Sequence, residues 1–278
     1  MIRLGGPVFG ECADPEGWVA ALRQAGYRAA FCPVGAQAGP ELVGAYEQAA
    51  REAEIVIAEV GAWSNPLSPD GPTRKAALAH CQAQLALADR IGARCCVNIA
   101  GSRGEQWDGP HPDNLTEETF ELIVGTVREI IDAVRPTRTC YTLETMPWMY
   151  PDSPQSYLRL LQAIDRPGFG VHLDPVNLVC SPQRYYGNAE LIRECIEKLG
   201  PHIRSCHAKD ILLAGRLTTH LDEVRPGLGG LDYAVFLREL ARLPGEVPLM
   251  LEHLATAEDY DLAARHIRQV AAREGVAL

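Results

Sequence analysis

FGVHLDPVN, residues 169–177, is a short apolar run that ends on a carboxylate, Asp174. Such a run predicts a buried strand of a parallel sheet. Three other runs in the second half of the chain have the same form, an apolar stretch with a polar residue near its carboxyl end. They are CYTLETMPW at 140–148, IRSCHAKDI at 203–211 and VPLMLEHL at 247–254. The four runs therefore predict four strands, each with an ionisable side chain near its carboxyl end.

The remainder of the chain alternates between short β-type runs and longer amphipathic helical patterns. Strands are predicted at Ile2–Gly5, Ala29–Pro33, Ile55–Ala62, Arg94–Ala100, Thr139–Thr145, Gly168–Asp174, Ile203–Lys209 and Pro248–Glu252. Helices are predicted at Pro15–Ala25, Pro40–Glu52, Thr73–Ile91, Thr116–Val134, Pro154–Ile164, Ala189–Leu199, Tyr233–Leu243 and Ala257–Glu274. Eight successive strand-helix units imply a parallel sheet, and eight is the number that closes a barrel.

Residues 1–278 are therefore predicted to form one α/β domain, a single (β/α)8 TIM barrel. The competing doubly wound sheet is disfavoured, because no GxGxxG motif follows the first strand. Long irregular stretches are expected at Ser64–Pro72, Ser102–Leu115, Ser181–Gly187 and Asp210–Leu231. Each follows a strand, so all four should lie on the face where barrels build their active sites.

Composition limits the partners of the chain. It has 278 residues, 47% of them hydrophobic, and a formal net charge of −10 with no Lys/Arg run, which argues against nucleic acid. No stretch of 18 apolar residues is present, and the first ten residues lack the apolar core of a signal peptide. Nine cysteines without a CxxC motif are typical of reduced core residues. We therefore expect a soluble cytoplasmic protein that binds no membrane.

The four polar strand ends form a candidate metal site. Glu144, Asp174, His207 and Glu252 are separated by 30, 33 and 45 residues, about one strand-helix unit each or slightly more. Adjacent parallel strands would bring these side chains together. Three carboxylates cannot gather in a dry pocket without compensation, which a divalent cation supplies. Such a ligand set suits one Mn²⁺, Mg²⁺ or Co²⁺ ion, with Mn²⁺ favoured, and the imidazole also admits Zn²⁺.

Period-two alternation indicates which neighbours share the pocket. Lys209 should point inward with His207, either to stabilise negative charge on a bound carbonyl oxygen or to pair with the ligand carboxylates. His172 should point inward with Asp174, to orient a substrate hydroxyl or to serve as a hydrogen-bonded core histidine. Asn98 and Asn177 are candidate substrate contacts. For Asn177 a role in the turn is the alternative.

Aromatic and basic residues near strand ends complete the candidate substrate shell. Trp63 and Trp148 could pack on the C–H face of a sugar ring, or simply pack the loops. Arg216 lies in a long loop and could bind an anionic substituent. No Gly-rich phosphate loop is apparent, which favours a substrate without phosphate. Glu59, in the third strand, is either a second acid/base or is held by a basic partner.

Over nearly its whole length the chain resembles the xylose isomerase-like barrels, the sugar phosphate isomerase/epimerase superfamily. The resemblance is carried by LET with Glu144, HLDPVN with Asp174, CHAKD with His207, LEH with Glu252, and GLGGLDY at Gly227–Tyr233. It implies a Glu-Asp-His-Glu metal site that is usually filled by Mn²⁺, Co²⁺ or Mg²⁺. Barrels of this type often dimerise, so a homodimer is also expected.

Two positions depart from the ketose 3-epimerases of this superfamily. Those enzymes usually carry a histidine three residues after the metal aspartate, where this chain has Asn177. They also place an arginine six residues after the metal histidine, where this chain has Leu213, with Arg216 the nearest candidate downstream. Both departures fall outside the four metal ligands and concern the substrate.

The favoured function is that of a metal-dependent isomerase or epimerase that transfers a proton next to the carbonyl of a keto-sugar or related polyol, through an enediolate. Glu144 and Glu252 would act as acid and base on two faces of the substrate, with Lys209 as the third catalytic group. The first alternative is a dehydratase or lyase, in which the same enediolate expels a β-hydroxyl. A metal-dependent hydrolase or endonuclease ranks lower, because no additional histidine ligands end the earlier strands. A non-catalytic sugar-binding barrel would not need two metal-binding glutamates.

Overall fold

Eight parallel strands close into a barrel in the computed structural model, which describes residues 1–10, 12 and 14–278. The strands are β1 Ile2–Gly5, β2 Ala29–Phe31, β3 Val56–Gly61, β4 Cys95–Asn98, β5 Cys140–Glu144, β6 Phe169–Leu173, β7 Ile203–Ala208, β8 Asp210–Ala214, β9 His220–Val224 and β10 Val247–Leu251. The barrel order is β1-β10-β7-β6-β5-β4-β3-β2, while β8 and β9 pair with each other as an antiparallel hairpin. The predicted TIM barrel is confirmed, with β10 as its eighth strand.

Helices connect the barrel strands and cover the outside of the barrel. They are α1 Pro15–Ala25, α2 Pro40–Glu52, α3 Gly71–Ile91, α4 Glu117–Val134, α5 Pro154–Ile164, α6 Pro182–Tyr186, α7 Asn188–Leu199, α8 Tyr233–Ala241 and α9 Ala257–Glu274. Helix α1 begins where its cap predicts, since Asp14 accepts from Gly17 N, and it ends at Gly26, whose φ of 69° is left-handed. None of the described helices is both long and apolar enough to cross a membrane.

Two stretches expected to be irregular are ordered instead. Ser181–Gly187 contains the short helix α6, and Asp210–Leu231 contains the β8–β9 hairpin. The hairpin is closed by Asp210, whose buried carboxylate accepts from the backbone amides of Gly227, Gly229 and Leu231 at 2.9 to 3.0 Å. A Cβ on Gly229 would collide with that carboxylate, so this position requires glycine. These contacts span 17 to 21 residues, which explains why local periodicity did not predict the hairpin.

A buried tyrosine joins the two strands that carry the first two candidate ligands. The Tyr157 hydroxyl, from α5, donates to Leu143 O at 2.6 Å and accepts from His172 N at 3.1 Å. Leu143 precedes Glu144 on β5, and His172 lies two residues before Asp174 on β6. The phenol therefore fixes the relative position of the carboxyl ends of β5 and β6.

Candidate metal centre

The four candidate ligands converge at the carboxyl ends of neighbouring barrel strands. Glu144 is the last residue of β5, Asp174 directly follows β6, His207 lies in β7 and Glu252 directly follows β10. One ligand atom from each residue lies within 4.8 Å of every other. The structure thus brings together the four residues that the sequence singled out.

His207 lies at the centre of this group. Its Nδ1 atom is 2.8 Å from Glu252 Oε1, 3.0 Å from Glu144 Oε1 and 3.7 Å from Asp174 Oδ2. The other oxygen of Asp174, Oδ1, accepts from Val176 N at 2.9 Å in the turn after β6. This contact holds the carboxylate so that Oδ2 faces the other ligands.

Two buried carboxylate oxygens of the cluster accept no hydrogen bond of regular geometry and are approached by the nitrogens of His207 and Lys209. They are Asp174 Oδ2 and Glu252 Oε1. Unsatisfied buried carboxylate oxygens are costly, and cations are their usual partners. Both atoms face the point where the ligand atoms converge, so the residues present fit a hard divalent cation.

Lys209 adds a buried positive charge to the site. Its side chain is 2% exposed, and Nζ lies 2.6 Å from Glu252 Oε1, 2.8 Å from Asp174 Oδ2 and 3.5 Å from Glu144 Oε1. Of the two roles expected for Lys209, the pairing with the ligand carboxylates is therefore observed. Three carboxylates and one ammonium leave two negative charges, which one divalent ion would balance.

The electrostatics favour the charged forms of two of these carboxylates and of the two basic groups. Burial opposes ionisation of Asp174, but Lys209 and His207 outweigh it and hold the pKa of Asp174 well below its usual range. Burial likewise opposes the ionised form of Glu252, whose pKa is lowered by His207 and Lys209. Desolvation disfavours the cationic forms of His207 and Lys209, yet the surrounding carboxylates raise both pKa values well above normal. Without a metal, the cluster is therefore a network of buried ion pairs.

A second polar layer lies directly beneath the ligands, inside the barrel. His172 Nε2 is 2.9 Å from Glu59 Oε1, and the Ser205 hydroxyl donates to the same oxygen. All three side chains are buried. His172 does not line the cavity above the ligands, so the structure corresponds to the core-histidine alternative. Glu59 reaches the floor of that cavity, but its carboxylate is held by His172 and Ser205, and a basic partner was one of its two expected roles.

A cavity of about 730 Å³ opens above the ligands at the carboxyl face of the barrel. Glu144, Glu252, Lys209 and Asn177 lie on its polar side. The opposite wall is apolar, and its residues are Phe31, Trp63, Val97, Ile99, Trp107, Met146, Pro147 and Trp148. The Trp148 indole donates to Asp108 O at 2.8 Å, which holds this ring in place. The volume is typical of small-molecule sites.

Two expected substrate contacts lie elsewhere. Asn98 is buried on the outer side of β4, where its amide accepts from Ser64 N at 3.2 Å and donates to Tyr141 Oη at 3.3 Å. It is Val97 that faces the cavity, because alternate residues of a strand point to opposite faces. Arg216 lies beyond the end of β8, where its side chain is 64% exposed and 3.8 Å from Asp222. Neither residue lines the cavity.

Two titratable lining residues close to Lys209 and Glu252 were missed by the sequence interpretation. Glu223, on β9, approaches Lys209 Nζ to 3.8 Å, and His253 Nδ1 lies 3.3 Å from Glu223 Oε1. His253 directly follows Glu252 and has a left-handed φ of 57°. The sequence could have indicated that His253 lies at the site, because it follows a predicted strand end in the LEH segment. No sequence pattern indicated that Glu223 lies near the site, because its position depends on the β8–β9 hairpin, which was not predicted.

Comparisons with known proteins agree with this architecture. The family profile described as xylose isomerase-like TIM barrel matches residues 19–270. No curated protein sequence matches the chain.

Several solved structures share the fold at low sequence identity. A xylose isomerase-like TIM barrel protein from Mycobacterium smegmatis in complex with magnesium is 17% identical, with a TM-score of 0.67 over 95% of this chain and 90% of that one. A D-psicose 3-epimerase with D-tagatose from Clostridium cellulolyticum H10 is 15% identical, with a TM-score of 0.65 over 95% of both chains. A probable 3-DHS dehydratase, AsbF, from Bacillus anthracis is 16% identical, with a TM-score of 0.70 over 98% of this chain and 99% of that one. With the family profile spanning most of its length, the chain belongs to the xylose isomerase-like TIM barrel family.

Proposed function

We propose that this protein is a divalent-metal-dependent isomerase or epimerase that moves a proton next to the carbonyl of a keto-sugar or related polyol. The observation that carries the proposal is the pair Glu144 and Glu252. Both carboxylates line the cavity floor, and they approach His207 Nδ1 to 3.0 Å and 2.8 Å. Two carboxylates beside one candidate metal position supply both an acid and a base for proton transfer.

The strand order supports action on two sides of a substrate. Glu144 is the last residue of β5 and Glu252 directly follows β10. Strands β6 and β7 lie between these two strands in the barrel. One carboxylate would remove the proton next to the carbonyl and the other would return a proton on the opposite side. Glu144, Asp174, His207 and Glu252 would hold the ion, and a bound divalent ion supplies a Lewis acid that polarises the substrate carbonyl.

Lys209 would stabilise the negative charge that develops on the substrate oxygen. Its ammonium lines the cavity and is buried among the ligand carboxylates, where electrostatic interactions are stronger than in water. An enediolate oxygen in the cavity would accept a charge-assisted hydrogen bond from this group.

The lining of the cavity supports a neutral substrate without phosphate. The basic residues among the described lining residues are Lys209 and His253, and five acidic residues accompany them. Phosphate recognition ordinarily uses arginine forks or a glycine-rich loop. Trp63, Trp107 and Trp148 offer aromatic faces for the C–H side of a sugar or cyclic polyol. We propose Mn²⁺ or Mg²⁺ as the ion, because three of the four ligands are carboxylates.

A metal-dependent dehydratase or lyase is the second candidate. Asn177, which occupies the position of the epimerase histidine, favours it, because its amide donates to Glu144 Oε1 at 3.0 Å and offers no acid or base. The same enediolate would then lose a β-hydroxyl as water. A multi-metal hydrolase is less well supported, since the two candidate ligand groups among the described residues share His207. A cytoplasmic location and a homodimer stay predictions of the sequence.

Deuterium exchange tests the reaction. Metal-loaded protein incubated in D₂O with unphosphorylated ketoses and inososes should introduce deuterium into the sugar at the carbon next to the carbonyl. Protein treated with a chelator should not. Glu252→Gln should abolish the exchange, whereas Glu258→Gln, on the exposed first turn of α9, should leave it unchanged. Release of water with an enone absorbance would assign the dehydratase instead. Absence of both signals with every substrate would overturn proton transfer as the function.

A further inference from the structure

We propose that Glu59 is a positioning residue that fixes the tautomer and orientation of His207 for metal binding. This inference rests on the proposed metal centre and adds to it a residue from β3, a strand that supplies none of the four ligands. Glu59 would act through His207 and would not contact the ion.

The two nitrogens of His207 face different groups. Nδ1 faces the ligand oxygens of Glu144, Asp174 and Glu252, while Nε2 faces Glu59 Oε2 at 3.4 Å. A neutral imidazole that coordinates through Nδ1 must carry its proton on Nε2. His207 is completely buried, so this proton needs an acceptor within the protein.

Glu59 is the acceptor that the described residues place there. His207 Nε2 and Glu59 Oε2 are both buried and have no hydrogen-bond partner among these residues, and they face each other at 3.4 Å, within ion-pair distance. The other oxygen of the carboxylate, Oε1, receives the Ser205 hydroxyl and lies 2.9 Å from His172 Nε2. One oxygen is thus anchored by two neighbours and the other is left to His207.

His172 also restricts the His207 ring by direct packing. The two ring centroids are 4.1 Å apart, and the rings meet edge to face at 68°. Ser205 and His207 lie on β7, His172 on β6 and Glu59 on β3, so the arrangement links three barrel strands beneath the ligands. Carboxylates that hold a metal-ligating histidine in this way typically strengthen metal binding by about 10- to 100-fold.

The same three residues, Glu59, His172 and His207, also have the spacing of a ligand group. A second ion there would need His207 to coordinate through both nitrogens. The hydrogen-bonded role is better supported, because Oε1 of Glu59 is already engaged by Ser205 and His172. Metal stoichiometry separates the two possibilities, since the positioning role predicts one ion per chain.

Metal titration of wild-type protein and Glu59→Gln tests the inference directly. The dissociation constant for Mn²⁺, measured by calorimetry, should rise by about 10- to 100-fold in Glu59→Gln. Glu246→Gln is the matched control, because Glu246 precedes β10, pairs with Arg3 and Arg94 and does not line the cavity. Its dissociation constant should change by less than about threefold, as for a partly exposed charge. Ser205→Ala, which removes one anchor of Glu59, should weaken binding by an intermediate factor.

The tautomer of His207 gives a readout that a merely structural role of Glu59 would not produce. Nitrogen NMR of histidine-labelled wild-type protein loaded with Mg²⁺ should show the proton of His207 on Nε2. This measurement needs no variant, so it remains decisive if Glu59→Gln does not fold. Detection of the proton on Nδ1, or of two bound ions per chain, would overturn the inference.

The outcomes also separate this inference from the proposed metal centre. If the wild-type protein binds neither Mn²⁺ nor Mg²⁺, both the proposed metal centre and the proposed role of Glu59 are wrong. If the wild-type protein binds one ion and folded Glu59→Gln binds it equally well, only the proposed role of Glu59 is wrong.

Discussion

The side-chain amide of Asn177 donates a hydrogen bond to Glu144 Oε1 at 3.0 Å, the same oxygen that lies 3.0 Å from His207 Nδ1. Asn177 lies in the turn after β6, and its own backbone amide donates to Asp174 Oδ1 at 3.3 Å. One residue therefore contacts two candidate ligands. The position at which the chain departs from the 3-epimerases is thus part of the structure of the site.

Replacement of Asn177 by alanine should reduce proton transfer more than metal binding. The amide holds Glu144 in place through a hydrogen bond to a charged group, which is worth about 1.5 to 3 kcal/mol. We expect the rate of deuterium exchange to fall by about 10- to 100-fold, since about 1.4 kcal/mol corresponds to tenfold. Exchange rates and Mn²⁺ titrations of the same preparations check this. An unchanged exchange rate would show that Glu144 does not depend on Asn177.

Metal affinity should rise with pH. The carboxylates around His207 outweigh its desolvation and raise its pKa well above the usual value, so the metal-free protein carries a proton on the ring at neutral pH. Coordination requires the neutral ring, and binding must therefore release about one proton per ion. The apparent affinity should increase by about tenfold per pH unit between about pH 6 and about pH 8, until pH reaches the raised pKa.

Calorimetry in two buffers with different ionisation enthalpies measures this proton release. The difference between the two apparent binding enthalpies gives the number of protons lost per bound ion. Binding without proton release, or an affinity that does not change with pH, would mean that His207 is already neutral in the metal-free protein.

Tyr157→Phe should destabilise the protein. The hydroxyl forms hydrogen bonds with buried backbone groups of β5 and β6, and its removal deletes these bonds. The expected loss is about 1 to 3 kcal/mol in the free energy of unfolding, measured by urea denaturation in the presence of a chelator. Tyr186→Phe is the matched control, because Tyr186 is 79% exposed, and it should have no measurable effect. Equal stability of the two variants would contradict the role of the Tyr157 hydroxyl.

The sequence predicted the barrel and the four converging side chains because both depend on local patterns. Each strand is a short apolar run, and the carboxyl ends of parallel strands necessarily meet on one face of the barrel. Period-two alternation placed Lys209 on the same face as His207, and His172 on the same face as Asp174. These predictions needed no knowledge of distant contacts.

Other features depend on contacts that no local pattern records. Asn98 was expected to contact the substrate, but its amide binds Ser64 and Tyr141 on the outer side of β4, and its polarity alone does not reveal these partners. Glu223 enters the cavity only because Asp210 closes the hairpin. Arg216 lies away from the cavity for the same reason, since it follows the outer end of β8. The substrate shell was therefore less predictable than the ligands.

Removal of the buried ammonium should destabilise the metal-free protein more than the metal-bound protein. Lys209 compensates Glu144, Asp174 and Glu252, and breaking such a buried network typically costs about 3 to 5 kcal/mol. A bound divalent ion would compensate the same carboxylates, so saturating Mn²⁺ should restore much of the lost stability. Lys209→Met, unfolded by urea with chelator and with Mn²⁺, checks this.

The control for that experiment is Lys198→Met. Lys198 pairs with Glu194 at 2.7 Å on the partly exposed face of α7 and has no contact with the candidate ligands. Its replacement should cost less than about 1 kcal/mol, with or without Mn²⁺. If Lys209→Met loses the same stability in both conditions, the ion does not share the carboxylates of Lys209. Glu144, Asp174 and Glu252 would then form a structural ion-pair network with Lys209, because an ion bound among them would have compensated their charge when the ammonium was removed.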